Sequence, residues 1–291
     1  SFPRYQTKIT TINDKTKYNM SSKNITYWVT RRQGFLNPSM TNKCRFEVQP
    51  GHGLHMRVTQ LNEGMWAMTY LVVCERTNKA TLIDPVWDNL SDYLSIIEEQ
   101  NLELVYAMAT HTHADHITGC FQLAEVTGCE YLMWNDTPSL GVTIYVDEET
   151  SISMGDLEFH YHHAPGHTGD SMIIECGDHI FTGDFLFTGE GGVGRDDLPS
   201  GRPHQHWQAL DVLERFQGDV IVCTGHDPPG TEMKSLGWNR ENNLVLKMKT
   251  YEEYAHWQES TSAVLGYVSK IKTALPANIF AEIPDEIPWM E

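Results

Sequence analysis

The chain carries the sequence LVYAMATHTHADH from Leu104 to His116, in which an apolar run leads directly into three histidines and an aspartate. The apolar part, residues 104–109, predicts a buried strand. The His-x-His-x-Asp-His spacing that follows places three imidazoles and one carboxylate within six residues of a single turn. Nitrogen and oxygen donors at this density suit Zn, Fe or Mn, whereas Mg and Ca favour oxygen alone. The stretch therefore predicts a metal site on a loop that follows a rigid strand.

Three later loops repeat the arrangement of a strand followed by His or Asp. They read PGHTGD at 165–170, TGD at 182–184 and TGHD at 224–227. The chain has 14 histidines, so the alternative interpretation of residues 111–116 is a His-rich surface loop without function. The recurrence of His and Asp after predicted strands argues against that alternative.

The composition describes an acidic chain that is able to fold. Its 291 residues carry a formal net charge of -18, with 21 Lys and Arg against 39 Asp and Glu. Nucleic-acid backbones and anionic membrane surfaces both attract clustered basic residues, so we expect neither as a partner. No apolar stretch approaches the length of a membrane span.

The cysteine pattern predicts reduced thiols. None of the six cysteines forms a C-x-x-C pair, and most lie in apolar runs such as Leu71–Cys74. Such thiols are typical of a reducing compartment, so we expect a cytoplasmic protein, or one of the mitochondrial matrix if the source is eukaryotic. No signal peptide is visible, although a cleaved one would leave no trace.

The chain divides by pattern into three parts. Residues 1–55 form an N-terminal extension rich in Thr, Asn, Ser and Lys, residues 56–235 form the core, and residues 236–291 form a C-terminal helical part of the same domain. The extension contains β-like runs such as Asn24 to Val29, which predict strands and loops. The sequence leaves open whether it covers a sheet edge or makes the contact of a homodimer.

Alternating and helical spacing predict the elements of the core. The predicted strands are 69–74, 80–83, 104–109, 157–163, 172–176, 179–181 and 220–223. The predicted helices are 91–100, 117–126 and 204–216, and the tail from 236 to 272 is mostly helical.

The four His and Asp segments, in order and spacing, resemble the metallo-β-lactamase superfamily over roughly residues 56–280. The resemblance implies an α/β (α+β) fold, the αββα sandwich, with the metal site at one end of two packed sheets. Within that superfamily the chain is most similar to the glyoxalase II and persulfide dioxygenase branch. Three segments resemble the persulfide dioxygenases in particular: HITG at 116–119, GRDD at 194–197 and ALPAN at 274–278.

This resemblance implies a dioxygenase with one non-haem Fe(II) held by His111, His167 and Asp184. Two histidines and a carboxylate leave three open positions, where a substrate sulfur and O₂ bind side by side. The implied partners are O₂ and a small sulfur compound. In the persulfide case, glutathione persulfide is oxidised with O₂ and water to sulfite and the thiol.

The same segments also support a hydrolase with two Zn ions. In this alternative the first Zn is bound by His111, His113 and His167. The second Zn is bound by Asp115, His116 and His226, and Asp184 bridges the two ions. Two such ions activate a shared water for attack on a thioester, ester or lactone. Spacing alone decides neither the number nor the identity of the metals.

The resemblance assigns roles to residues around the metal as well. In the mononuclear case the remaining donors orient the ligands; they are His113, Asp115, His116 and His226. Asp115 and Arg195 are the expected catalytic residues. A third interpretation, a metal-binding scaffold without catalysis, conflicts with the completeness of the ligand set.

Substrate binding is expected from Arg195, Thr168 and Arg240. Arg195 either binds a substrate carboxylate bidentately or forms a structural ion pair with Asp196 or Asp197. For Thr168 the alternative is stabilisation of the turn, and for Arg240 it is a position on a helix surface.

Overall fold

The computed structural model describes residues 8–12, 15–19, 26–30, 55–62 and 67–290. Contacts divide the chain into two units, Ser1–Arg45 and Phe46–Glu291. The first unit contains a three-stranded antiparallel sheet of β1 (Lys8–Ile12), β2 (Lys15–Asn19) and β3 (Thr26–Thr30), in that order. The predicted β-like run at 24–29 overlaps β3. Cys44 and residues 46–54, which precede the predicted boundary at 55, lie outside the described residues.

The second unit is built on two six-stranded sheets. The first sheet has the order β4 (Met56–Gln60), β5 (Tyr70–Cys74), β6 (Lys79–Ile83), β7 (Glu103–Met108), β8 (Glu130–Trp134) and β9 (Ile144–Val146). The pairs from β4 to β6 are antiparallel, and the pairs from β6 to β9 are parallel. The sequence did not predict β4, β8 or β9, since their short apolar runs lack a distinctive period.

The second sheet has the order β10 (Ser151–Met154), β11 (Leu157–His163), β12 (Met172–Cys176), β13 (His179–Gly183), β14 (Ile221–Thr224) and β15 (Lys234–Ser235). All its pairs are antiparallel except β13 and β14, which run parallel. The burial pattern of β11 alternates, with Phe159 facing inward and the exposed His160 facing outward. His160 and His162 therefore share the face of β11 opposite Phe159, where His162 packs on Phe216.

Helices cover the outer face of each sheet. On the first sheet lie α1 (Leu90–Glu99), α2 (Cys120–Thr127) and a helix near the C-terminus, and on the second sheet lie three others. Those three are α3 (Pro203–Ala209), α4 (Leu236–Asn242) and α5 (Tyr251–Leu265), and the helix near the C-terminus is α6 (Ile271–Phe280). Within the described part of the chain, no helix is both long and apolar enough to span a bilayer.

The main core lies between the two sheets, where the inward side chains of both meet. Its fully buried members include Val72, Met108 and Leu132 from the first sheet and Phe159 and Phe181 from the second. The resulting layers are helix, sheet, sheet and helix, so the expected αββα sandwich is confirmed.

The helix predicted at 117–126 begins three residues later than expected, at Cys120. The preceding residues use their backbone groups elsewhere: Thr118 N donates to Asn278 Oδ1 at 2.9 Å and Gly119 N donates to Pro85 O at 2.6 Å. These tertiary partners compete with the first helical turn, and periodicity does not reveal them.

The parallel pairs bring the functional loops to one edge of the sandwich. Because β6 runs parallel to β7, and β13 parallel to β14, the loops after all four strands lie at the same end. Two hydrogen bonds join the sheets there, from Met172 N to Thr110 O at 2.9 Å and from Met68 N to Gly225 O at 2.8 Å.

Candidate metal centre

All seven predicted metal ligands lie at this edge, on loops that follow β7, β11, β13 and β14. The three histidines and the aspartate of residues 111–116 follow β7. His167 lies between β11 and β12, Asp184 follows β13 and His226 follows β14. The chain thus folds back three times to bring side chains more than a hundred residues apart into one cluster.

The first group of donors consists of His111, His167 and Asp184. One ligand atom of each lies within 4.8 Å of the others, and all three residues are buried. His167 Nε2 is 3.4 Å from Asp184 Oδ2, and the ring centroids of His111 and His167 are 4.9 Å apart. Two imidazoles and a carboxylate in this arrangement form a three-donor face of the kind that holds one transition-metal ion.

The second group consists of His113, Asp115 and His116, whose ligand atoms also lie within 4.8 Å of one another. Asp115 Oδ2 is 3.0 Å from His116 Nδ1 and 3.3 Å from His226 Nε2. His226 Nε2 is also 3.6 Å from Asp184 Oδ1 and therefore lies between the two groups.

Buried polar atoms without partners test whether a metal fits this cluster. Among the described residues four such atoms occur here, and none of them forms a hydrogen bond: His111 Nε2, His113 Nδ1, His116 Nε2 and Asp184 Oδ1. A buried donor or acceptor left unpaired costs about 1–3 kcal/mol. Four of them side by side are favourable only if their lone pairs bind a ligand. Nitrogen and oxygen donors together suit Fe, Zn or Mn, so the donor set fits a transition metal.

The hydrogen bonds around the histidines fix which ring nitrogen is free for a metal. Thr110 Oγ1 donates to Asp84 Oδ2 at 2.8 Å, so its lone pair accepts the proton of His111 Nδ1 at 2.9 Å. His113 Nε2 donates to Asp84 Oδ1 at 3.1 Å. His167 Nδ1 donates to the carbonyl of Arg195 at 2.6 Å. In each ring the opposite nitrogen keeps its lone pair, which is how proteins orient metal-binding histidines.

Electrostatics favour the metal-binding protonation states of His111 and Asp115. Burial lowers the pKa of His111 well below its usual value, and the neighbouring His113 and His167 lower it further. Burial would raise the pKa of Asp115, but the adjacent His116 and His226 hold it well below its ordinary range. A neutral imidazole and an ionised carboxylate are the forms that coordinate a metal.

Asp84 is a central residue of the site that the sequence did not identify as functional. It is buried, and its carboxylate accepts from Thr110 N at 2.7 Å as well as from Thr110 Oγ1 and His113 Nε2. In the sequence it is only the residue that follows the predicted strand 80–83. Asn278 was known only as part of a family-like segment; its amide donates to the carbonyls of His113 and His116 at 2.9 Å.

We expect Asp84→Asn to weaken metal binding about 10–100-fold, the range typical of residues that hold metal ligands. The new amide nitrogen is itself a donor and would face a donor of Thr110 or His113 where the carboxylate accepted a hydrogen bond. This disturbs the orientation of His111 and His113. Metal content after dialysis against a chelator measures the effect. The matched control is Asp92→Asn on the exposed side of α1. Equal metal retention in the two variants would contradict this role for Asp84.

A cavity of about 600 Å³ opens beside the cluster. His167, Asp184 and His226 form its floor together with Asp115. Its walls are mostly apolar and carry two basic residues; they include Phe187, Val193, Leu198, Tyr267, Arg195 and Lys270. A volume of this size accommodates a small organic substrate.

Arg195 lies on the cavity wall, but its guanidinium is already paired. Nε and Nη2 donate to the two carboxylate oxygens of Asp197 at 2.7 and 2.8 Å, and Nη1 donates to Gly266 O at 2.8 Å. The bidentate partner in this structure is therefore Asp197, the alternative named from the sequence, and not a substrate carboxylate.

The other two expected substrate residues do not line this cavity in the described structure. Thr168 is buried, and its hydroxyl donates to Asp170 Oδ1 at 2.7 Å within the turn. Arg240 Nη2 donates to the carbonyls of Leu213 and Phe216 at 2.7 and 3.2 Å. Both side chains make structural contacts, which one-dimensional spacing could not separate from substrate contacts.

Comparison with known proteins supports the fold. The model of the Metallo-beta-lactamase superfamily matches residues 67–133 and 135–226. The crystal structure of ETHE1 from Myxococcus xanthus is 32% identical with a TM-score of 0.72, and the match covers 77% of this chain and 98% of that one. The human mitochondrial persulfide dioxygenase ETHE1 is 28% identical over 234 residues, which cover 79% of this chain and 90% of the relative.

Relatives named as hydrolases match as well. The hydroxyacylglutathione hydrolase of Enterobacter sp. (strain 638) is 28% identical over 186 residues, which cover 64% of this chain and 70% of the relative. The beta-lactamase hydrolase-like protein of Agrobacterium fabrum is 27% identical, but this chain spans only 58% of its length. With the fold and the family match in agreement, the chain belongs to the metallo-β-lactamase superfamily, in its glyoxalase II and persulfide dioxygenase-like branch.

Proposed function

We propose that this chain is a mononuclear iron dioxygenase that oxidises a small persulfide, such as glutathione persulfide, to sulfite and the thiol. The observation that carries the proposal is the convergence of His111, His167 and Asp184 beside a substrate-sized cavity. The similarity to ETHE1 over nearly the whole of the Myxococcus chain supports it. The reaction consumes one persulfide, one O₂ and one water, and it yields thiol, sulfite and two protons.

Held by His111, His167 and Asp184, Fe(II) would supply the redox chemistry with O₂. The protein contributes the orientation of the ligands, through Thr110 Oγ1 on His111 and the Arg195 carbonyl on His167. The apolar wall, which includes Phe187 and Val193, limits the access of water to the reacting sulfur.

Asp115 is the catalytic residue in this proposal that the geometry supports best. Its carboxylate lies on the cavity surface and contacts both His116 and His226. This carboxylate is held ionised between two imidazoles and orients both rings at the cavity surface. Lys270 places one positive charge on the cavity wall, where it can attract an anionic group of the substrate, whereas Arg195 is neutralised by Asp197.

The proposed partners are the sulfur substrate and O₂, and neither nucleic acid nor a membrane surface is among them. We also propose that the chain can form a homodimer. We also propose a reducing compartment, the cytoplasm or the mitochondrial matrix. Five free, buried cysteines support it: Cys74, Cys120, Cys129, Cys176 and Cys223. Burial raises the pKa of Cys176 to about 12, so this thiol stays protonated.

The proposal is tested on protein produced without added Zn. We expect about one Fe per chain, O₂ uptake that depends on glutathione persulfide, and one sulfite for each O₂ consumed. His111→Ala should abolish the uptake, and the matched control His160→Ala, on an exposed strand face, should leave it unchanged. Two Zn per chain and no O₂ uptake would refute the dioxygenase.

The second candidate function is a dinuclear zinc hydrolase of a thioester or lactone. The observation that favours it is the second donor group, in which His113 Nδ1 and His116 Nε2 are as unpaired as His111 Nε2. The relatives named as hydrolases support it too. In this case His116→Ala lowers the metal content from two ions to one, whereas in the dioxygenase it leaves the content at one.

A further inference from the structure

Two of the three donors in the first group rest on one loop, residues 194–197. The carbonyl of Arg195 accepts from His167 Nδ1 at 2.6 Å, and Gly194 N donates to Asp184 O at 2.9 Å. A Cβ at Gly194 would overlap the Asp184 carbonyl, so the loop packs directly on the main chain of that ligand. The position of this loop therefore sets the position of both His167 and Asp184.

Helix α5 holds this loop through two side chains one turn apart. Tyr254 Oη donates to Asp196 Oδ2 at 2.6 Å, and Gln258 Nε2 donates to Gly194 O at 2.9 Å. Gln258 Nε2 also donates to Tyr254 Oη at 2.9 Å, which couples the two contacts. Residues four apart lie on the same helix face, so both side chains reach the loop together.

The hydrogen bonds among Tyr254, Gln258 and Asp196 are buried, so each group depends on its partner. Tyr254 is 0% exposed, and Gln258 and Asp196 are 4% exposed. Burial raises the pKa of Tyr254 far above its ordinary value, so the phenol keeps its proton and acts as the donor. Removing one partner would leave a buried acceptor unpaired, which forces the loop to move or to admit water.

We propose that Tyr254 and Gln258 are positioning residues for the metal centre: they fix loop 194–197, which orients His167 and anchors Asp184. The inference rests on the proposed metal site but not on the choice of metal or reaction. The ion pair from Arg195 to Asp197 and the hydrogen bond from Arg195 to Gly266, just after α5, clamp the loop a second time. Tyr254 and Gln258 thus act on the metal ligands from the outer layer of the fold, without lining the cavity.

The test is a titration of the metal-free full-length chain with Co²⁺, followed by visible absorption. We expect Tyr254→Phe and Gln258→Leu each to weaken Co²⁺ binding about 10-fold and to shift the absorption bands, because His167 loses its fixed orientation. Asp196→Asn keeps an oxygen acceptor for Tyr254 and should bind Co²⁺ like the wild type. The matched control is Tyr251→Phe, on the same helix.

The thermal unfolding temperature of each metal-free variant is measured as well, so that a loss of fold stability is distinguished from a loss of metal affinity. If Tyr254→Phe binds Co²⁺ with the wild-type affinity and spectrum, the inference is overturned, whether or not the unfolding temperature falls. If Tyr254→Phe does not fold, Gln258→Leu decides by the same criteria. Persulfide-dependent O₂ uptake by the wild type is measured separately, so failure of the proposed dioxygenase and failure of this inference give different results.

Discussion

Asp184→Ala is expected to release the metal and to reduce activity by more than about 100-fold, beyond the effect typical of residues that only orient ligands. Asp184 is the one carboxylate of the first donor group, and its Oδ1 is buried without a hydrogen bond in the described structure. It also lies within 3.6 Å of His226 Nε2 and so connects the two groups of donors. Without it, the first group keeps only two donors, His111 and His167.

Metal content and O₂ uptake are measured on the same preparation, since a loss of activity with full metal would indicate a different role for the carboxylate. Asp219→Ala is the matched control, because Asp219 is an exposed aspartate in the loop before β14. Retention of a full complement of metal in Asp184→Ala would contradict the ligand assignment in both the iron and the zinc alternatives.

Gly183→Ala is expected to destabilise the protein by about 3 kcal/mol, as the sum of backbone strain and steric overlap. Gly183 has a φ of +49°, in the left-handed region that favours glycine. A Cβ there would overlap Thr110 Oγ1, the atom that accepts from His111 Nδ1. The variant should therefore also bind metal more weakly. Chemical unfolding of the metal-free protein gives the stability, and a metal titration gives the second effect.

Gly128→Ala separates strain from overlap. Gly128 ends α2 with a φ of +80°, but no atom lies within 4 Å of an added Cβ. We expect it to lose only the backbone part, about 1–2 kcal/mol, with unchanged metal affinity. Equal losses in the two variants would show that the contact between Gly183 and Thr110 does not matter.

The sequence indicated the candidate metal-binding side chains because their chemistry is local. The run from His111 to His116 needs no knowledge of the fold to indicate a transition metal, and strands that precede His167, Asp184 and His226 indicated where each would be held. The long apolar strands were predicted for the same reason, whereas β4, β8 and β9 escaped because short apolar runs carry little periodic signal.

The substrate side of the site depended on contacts that spacing does not encode. Arg195 was expected either at a substrate or in an ion pair, and only the structure shows its bidentate contact with Asp197. Asp84 and Tyr254 have no motif of their own, since each acts through hydrogen bonds to residues at least 26 positions away.

By itself, the sequence determined the superfamily and the sandwich and indicated the candidate metal donors, because donor chemistry and strand alternation are properties of short stretches of chain. The tertiary structure alone decided which nitrogen of His111, His113 and His167 carries the proton, which side chains line the cavity, and how α5 supports His167 and Asp184. Those features arise where segments distant in the sequence meet, and a hydrogen bond between them depends on distances of a few ångströms that only the folded chain sets.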